Sequence, residues 1–340
     1  MQFESIIEDC LKNELSLTSS FSISPNKKRG QSITYTIYDS TGKAIWMVKF
    51  FDYLTEIESF LKPDRMKSYD NLNELLDDIE NAGNFPYNIE DIIDSIELQK
   101  RCFNRYIKVG EIQGLRCFPK IIHYKNEIKI GKSFLGLLVE EYVLGETLEQ
   151  KLKGIIIDKK DFIFDFLYQL ADRLNELSMH GIIHRDISPD NIMIADGTYI
   201  LIDPGVVKID DGDATKSKMM LGKCMYASPE QYFGNARSAT FKSDLYAVGI
   251  IALEILLGYN PLTKIITDGE RVAPHTVLLN RYNRDIEDSI FKVIDEDEFT
   301  SRLLLIIKKL IQIEEHNRFD SIDSFQAALN TMKGLVKNNE

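Results

Sequence analysis

The chain has 340 residues, enough for two lobes that each bury a core of their own. Hydrophobic residues make up 44% and charged residues 28%, and the net charge of −12 argues against nucleic acid or an anionic membrane as a partner. Four scattered cysteines (Cys10, Cys102, Cys117, Cys224) form no C-x-x-C pair, which points to reduced thiols in a cytoplasmic protein and away from a disulfide frame or a zinc site. The start, Met-Gln-Phe-Glu-Ser, lacks the basic and apolar regions of a signal peptide. The most apolar long stretch, Tyr246 to Gly258, carries Glu254 and is too short to span a bilayer.

In chain order, residues 3 to 15 predict a short helix. Ser32 to Tyr38 alternates as a strand, Asp39 to Gly42 makes a turn, and Ala44 to Phe51 reads as the next strand, which together open a small antiparallel lobe. Residues 52 to 95 are acidic and mixed. A helix is expected from about Ile89 to Ile112, and Leu135 to Tyr142 reads as an apolar strand. From Asp161 the period changes: Phe162, Phe166, Leu170, Leu174 and Leu177 mark one buried helix face, which Gly181 ends. Ile192-Met-Ile and Tyr199 to Ile202 flank an Asp196-Gly197 turn, a hairpin signal. Everything after Ser243 reads as helix. A β-rich front and a helical back predict an α+β fold of two lobes. No repeat, low-complexity tract or Pro/Gly linker divides the chain.

Residues 184 to 191 read His-Arg-Asp-Ile-Ser-Pro-Asp-Asn, and Asp203 follows in Ile202-Asp-Pro-Gly205. Phosphoryl transfer needs an oriented nucleophile, oxygen ligands for divalent ions and positive charge on the phosphates, and this run supplies an Asp base followed by an Asn and an Asp that can hold metal. Three other segments go with it: Ile45-Trp-Met-Val-Lys49, Leu138-Val-Glu-Glu-Tyr-Val-Leu-Gly-Glu-Thr-Leu148, and Gly222-Lys-Cys-Met-Tyr-Ala-Ser-Pro-Glu230. Together they resemble the eukaryotic-type protein kinase superfamily, in its Ser/Thr branch, over roughly residues 20 to 335.

The resemblance implies a two-lobed kinase-like fold with a small antiparallel N-lobe and a helical C-lobe. Residues 1–20 would be a helical extension, 21–143 the N-lobe and the start of the hinge with an insertion at about 52–95, and 144–340 the C-lobe. It implies ATP and Mg²⁺ (or Mn²⁺) as cofactors and a protein Ser/Thr hydroxyl as acceptor. Asp186 would be the base, Asn191 and Asp203 the metal ligands, and Lys49 the phosphate-binding lysine. Glu111 is the expected partner of Lys49, although Tyr106 falls where the family often carries that Glu. The backbone of Glu141 and Val143 would meet the adenine edge, with Glu140 at the gatekeeper position. His184 would pack in the catalytic loop, and Arg185 would receive a phosphate on the activation segment, with Thr215 and Ser217 as acceptors. The acidic run 210–213 offers fixed charge as the alternative, or a solvated turn. Glu230 would pair with Arg318, and Asp244 would anchor the catalytic loop.

The pattern is broken in four places. The usual loop glycines fall at Lys27, Arg29 and Ser32 around Gly30, so Lys27, Lys28 or Arg29 would supply charge in place of backbone amides; the alternative is a solvated basic turn. Ser188 stands where Ser/Thr kinases carry lysine, and Lys223 where they carry threonine, which suggests that cation and hydroxyl have exchanged places; the alternative is a Lys223 that points to water. Pro204 replaces the Phe after the metal-binding Asp and is expected to hold Asp203 extended. The 52–95 insertion would dock a partner or a second copy, or be a tolerated acidic surface insert. Two other functions stay open: a pseudokinase scaffold, favoured by the lost glycines and Pro204, and a small-molecule phosphotransferase, opposed by the Glu230–Arg318 pair.

Overall fold

The computed structural model describes residues 2–16, 20–26, 32–54, 69–81, 89–131, 133–154, 158–209, 223–233, 238–267 and 274–336. Lys27, Lys28, Arg29, Gly30, Thr215, Ser217, the acidic run 210–213 and residues 55–68 and 82–88 of the insertion lie outside them. The chain divides into two compact units, residues 1–114 with 119–144 and residues 115–118 with 145–340.

The N-terminal unit contains α1 (Gln2–Leu15), β1 (Ser22–Pro25), β2 (Ser32–Tyr38), β3 (Ala44–Asp52), α2 (Leu72–Asn81), α3 (Ile89–Gly110), β4 (Ile121–Ile130) and β5 (Ser133–Glu141). The strands form one antiparallel sheet in the order β1-β2-β3-β5-β4. Asp39 closes the β2–β3 turn, its Oδ1 accepting from the Thr41 and Lys43 N–H groups at 2.8 and 3.1 Å. The two-residue period of the strands sorts the side chains onto two faces. Val48, Phe50, Leu135, Leu137 and Val139 share one face, which Ile7 and Leu11 of α1 cover. Phe51 and Leu138 lie on the other, under Leu75 and Ile79 of α2 and Phe103, Tyr106 and Ile107 of α3. A sheet buried on both faces explains why β5 reads as an almost unbroken apolar run.

Two strands escape the sequence pattern. β1 is short and mostly exposed. β4 is an edge strand whose alternation is interrupted by register shifts at Ile121/His123 and Lys125/Ile128. The described part of the insertion is not a simple surface loop: α2 puts Leu72, Leu75 and Ile79 into the core while Asp77, Asp78 and Glu80 stay exposed.

In the C-terminal unit, β6 (Glu146–Thr147) enters α4 (Leu148–Leu152) through a capping box of Thr147 and Gln150. Asp158 caps α5 (Lys159–Met179), which buries Ile163, Phe166, Leu167, Leu170, Leu174 and Leu177 and stops where Gly181 takes φ +65°. β7 (Ile182–Ile183), β8 (Ile192–Ala195), β9 (Thr198–Leu201) and β10 (Lys208–Ile209) follow. β8 and β9 make the predicted hairpin, with Asp196 and Gly197 at φ +48° and +74°.

The remaining helices are α6 (Pro229–Tyr232), α7 (Phe241–Leu257), α8 (Pro261–Thr267), α9 (Pro274–Arg281), α10 (Glu287–Phe291), α11 (Glu298–Leu310), α12 (Ile322–Asn330) and α13 (Lys333–Val336). Every residue of α7 from Ser243 to Leu253 is buried, so it forms the axis on which the unit packs. Gly249 lets α11 approach: a Cβ there would stand 2.7 Å from Ile311 Cγ2 and 2.8 Å from Leu310 Cβ. All four cysteines are free thiols. Among the described residues no helix is long and apolar enough to cross a membrane.

Leu11 is fully buried against the sheet. Leu11→Ala should therefore destabilise the N-terminal unit by about 2–5 kcal/mol. Trp46, the one tryptophan of the chain, packs against the same cluster, so urea unfolding followed by its fluorescence measures the loss. An unchanged midpoint would mean that α1 is no part of the cooperative core.

Candidate active site

The loop from His184 to Asn191 hangs from α7. Asp244, in the first turn of that helix, accepts the His184 N–H at Oδ2 and the Arg185 N–H at Oδ1, both at 2.8 Å. Two successive N–H groups can point at one carboxylate because Arg185 takes φ +67°, which forms a small anion-binding concavity. The Arg185 carbonyl accepts from Gln231 Nε2 at 2.9 Å, so α6 holds the same strained residue from the other side. Burial pushes Asp244 up to about 7, against the two N–H bonds that favour its charged form. His184 is fully buried, stacks on Phe118 at 5.7 Å between ring centres, and is driven down to about 4 by burial, so it stays neutral.

This anchoring aims Asp186. Its Oδ1 accepts the Lys223 N–H at 2.9 Å and its Oδ2 the Asn191 amide at 2.7 Å. Burial raises the carboxyl to about 6; the Lys223 charge opposes this and the Asp203 charge adds to it. Asn191 gives its Nδ2 to both the carbonyl and the carboxylate of Asp186, which leaves Oδ1 as the side-chain atom that could ligate a cation. Asp203 does not adopt the extended backbone that a following proline predicts. It sits at φ +63°, ψ +65°, a left-handed conformation that costs about 1–3 kcal/mol for a residue other than glycine. The reason is local: Pro204 begins a 3₁₀ turn, Pro204–Val206, closed by the Val207 N–H on the Pro204 carbonyl at 3.2 Å, and Asp203 must reverse the chain to enter it.

Ser188, Asp190 and Lys223 form a triangle beside Asp186. Lys223 Nζ donates to Ser188 Oγ at 3.0 Å and to Asp190 Oδ2, and Ser188 Oγ donates to Asp190 Oδ1 at 2.9 Å. Burial pushes the Asp190 carboxyl up, but the Lys223 bond and charge outweigh it and leave it below its ordinary value. Asp190 was absent from the sequence reading. Its one available signal was its position between Ser188 and Asn191.

Behind the segment that carries Lys223, Glu230 meets Arg318, which is only 1% exposed. Arg318 Nη1 and Nη2 reach the two Glu230 oxygens at 2.8 and 2.9 Å, and its other donors go to the carbonyls of Gln312, Lys242 and Ile313. Each guanidinium N–H thus has an acceptor. Ser243 Oγ adds a bond to Glu230 at 2.7 Å.

In the N-terminal unit Lys49 is buried and does not pair with Glu111. Its Nζ lies 2.7 Å from Glu140 Oε1 and 4.8 Å from the centre of the Tyr106 ring. Glu111 lies just beyond the end of α3, is exposed, and accepts from the Tyr124 hydroxyl at 3.0 Å. Tyr106 stands where the family often carries the helix carboxylate, and it is the α3 side chain that meets Nζ. The Glu141 N–H donates to the Lys120 carbonyl at 2.9 Å, so a contact from Glu141 to an adenine edge falls to its carbonyl; Val143 is half-buried.

No cluster of three His, Cys, Asp or Glu able to hold a metal occurs among the described residues. The hard oxygens of Asn191 and Asp203 instead fit an ion such as Mg²⁺ or Mn²⁺, which takes one or two protein ligands and completes its shell with water and phosphate oxygens. The charge with which Asp203 lifts Asp186 is what such a cation would offset.

The sequence model of the protein kinase domain matches residues 99–330, beginning inside α3 and leaving Lys49 outside the match. The chain is 28% identical over 206 residues to the probable serine/threonine-protein kinase PknB of Lactococcus lactis, covering 60% of this chain and 31% of that protein. It is 33% identical over 168 residues to the serine/threonine-protein kinase PknA of Nostoc sp., covering 46% and 28%. It is 32% identical over 133 residues to PknA of Mycobacterium tuberculosis, covering 38% and 30%. The matched region thus spans about a third of the length of these relatives.

Burial pushes the Glu230 carboxyl up, but Arg318 and Ser243 outweigh it, so its value in the folded chain lies below 4.5. Its contribution to stability is present above the unfolded value and is lost as pH falls through the folded one. Arg318→Met should cost about 3–5 kcal/mol, because it leaves a buried carboxylate without its cation. It should also remove this part of the acid dependence, and thermal melts between pH 3 and 7 check both.

Proposed function

Because the chain belongs to the protein kinase domain family, we propose that it transfers the γ-phosphoryl group of ATP to a Ser or Thr hydroxyl of a protein substrate. The observation that carries this reading is the state of Asp186. Two donors fix its carboxylate and its pKa is lifted to about 6, near the pH at which a general base must work. In the reading, Asp186 orients the acceptor hydroxyl and takes its proton as the oxygen attacks the γ-phosphorus in line. Asn191 and Asp203 hold Mg²⁺ or Mn²⁺, which when bound neutralises charge on the β and γ phosphates. Lys49 binds the α and β phosphates.

Lys223 supplies the positive charge that a catalytic-loop lysine gives in other members of the family, and Ser188 supplies the hydroxyl that their activation segment gives. The 3.0 Å bond between the two side chains supports the exchange, since one cation and one hydroxyl are retained beside Asp186. The acidic composition and the four free thiols support a cytoplasmic setting. A nucleotide-binding scaffold is the second reading. The observation in its favour is that the family match begins only after Lys49.

Incubation of the purified chain with labelled ATP and Mg²⁺, followed by phosphosite mapping, tests the reading. Label is expected on the wild type, with Asp186→Asn reduced about 10²–10⁴-fold. Nucleotide binding with no label would support the scaffold. The base must be ionised, so kcat/KM should fall about tenfold per pH unit below about 6 and level off above it. Lys223→Ala should lower kcat by about 10²–10³-fold, while Ser188→Lys combined with Lys223→Thr should retain most of it. Unchanged turnover in Lys223→Ala would remove the exchange from the mechanism.

A further inference from the structure

Lys49 is buried, and an ammonium at such a site requires a counter-charge. The helix that packs over it has none to give. The acids of α3 (Glu90, Asp91, Asp94 and Glu97) all lie in its first half. From Leu98 to Gly110 the helix contains no carboxylate, and the residue it brings to the ammonium is Tyr106, itself only 4% exposed. Glu111, the next acid along the chain, is turned to Tyr124.

The counter-charge comes from the sheet. β3 pairs with β5 with Met47 opposite Glu140 and Lys49 opposite Leu138, so Lys49 and Glu140 are diagonal neighbours on one face of two hydrogen-bonded strands. Their side chains are 10% and 8% exposed and meet at 2.7 Å. The register of β3 on β5 sets the diagonal placement of this pair.

We propose that Glu140 is the positioning residue for Lys49, so that the phosphate-binding lysine stays aligned whatever position α3 takes. This rests on the reading of Lys49 as a phosphate ligand. Two consequences follow. Displacement of α3 does not uncouple the lysine from its carboxylate, so a helix-swing switch cannot silence this chain through that pair. Control has to act on the catalytic loop or on the segment that carries Lys223. In addition, residue 140 stands where the family closes the adenine pocket with an apolar side chain, so one side chain here both lines that position and sets the lysine.

The test compares Mg²⁺·ATP with adenosine, which has no phosphate for Lys49 to touch, by titration calorimetry on the full chain. Glu140→Gln keeps the shape and removes the charge. It should weaken Mg²⁺·ATP binding by about tenfold more than it weakens adenosine binding, whereas a merely structural defect would weaken both alike. Glu140→Leu should show the same selective loss. Adding Tyr106→Glu to Glu140→Leu should restore Mg²⁺·ATP binding, because the ring at 106 already lies against Nζ. The same ratio of the two affinities in Glu140→Gln and wild type, with equal melting temperatures, overturns the proposal. A wild type that binds Mg²⁺·ATP no better than adenosine overturns Lys49 as a phosphate ligand, and this inference with it. A wild type that binds Mg²⁺·ATP selectively through Glu140 but transfers no label keeps the inference and removes the kinase reading.

Discussion

Asp244 takes the N–H groups of His184 and Arg185 from within a helix that is buried on every side, and the catalytic loop owes its shape to that contact. A backbone segment bent through a positive φ does not hold its form in water, because nothing there compensates the strain. Here the compensation is a fixed anion under two adjacent donors, with Gln231 gripping the carbonyl of the same residue. Asp186 then follows two residues after His184 and meets its own donors from Asn191 and Lys223. The Glu230–Arg318 pair serves the same end from below, since Arg318 also holds the carbonyl of Lys242 at the start of α7. On the proposed reading the chemistry sits on a loop, and that loop is hung from a helix buried along most of its length.

On the proposed reading, the two lysines that meet phosphate show how a charge requirement outlives the position that first met it. A cation near the triphosphate has to be desolvated, and a desolvated cation needs an anion beside it. Lys49, which is buried, finds that anion across the sheet in Glu140, and the more exposed Lys223 lies against Asp190, one residue before Asn191. For Lys49 that partner does not occupy the place the family pattern suggests. What is retained is the local charge balance.

Much of this was legible from the chain. The protein kinase family could be read from the Asp186, Asn191 and Asp203 spacing, because phosphoryl transfer restricts residue type at each place. The hairpin of β2 and β3, the apolar face of α5 and the all-round burial of α7 could be read because periodicity reports burial. The rest depends on contacts remote in sequence. Nothing local to Lys49 says that β3 will lie beside β5 with Glu140 two places along from its opposite residue. β4 gave no strand signal because an edge strand with exposed Tyr124, Lys125 and Asn126 in succession has no face to alternate. Pro204 argued for an extended Asp203, and the argument failed because a proline opening a 3₁₀ turn can follow a chain reversal. Nothing in the sequence singled out Asp190, whose place in the site follows from the side chain of Lys223 that lies on it.

Lys223 joins two duties that most sites keep on separate residues. Its backbone N–H and its ammonium tie the segment that bears it to Asp186, Ser188 and Asp190. On the proposed reading, the same ammonium meets the incoming phosphate. The clasp that keeps the segment seated is then also a working part, and unfastening it dismantles the cation site in the same stroke. On that reading, lifting the segment away would withdraw the ammonium and the backbone donor of Asp186 together.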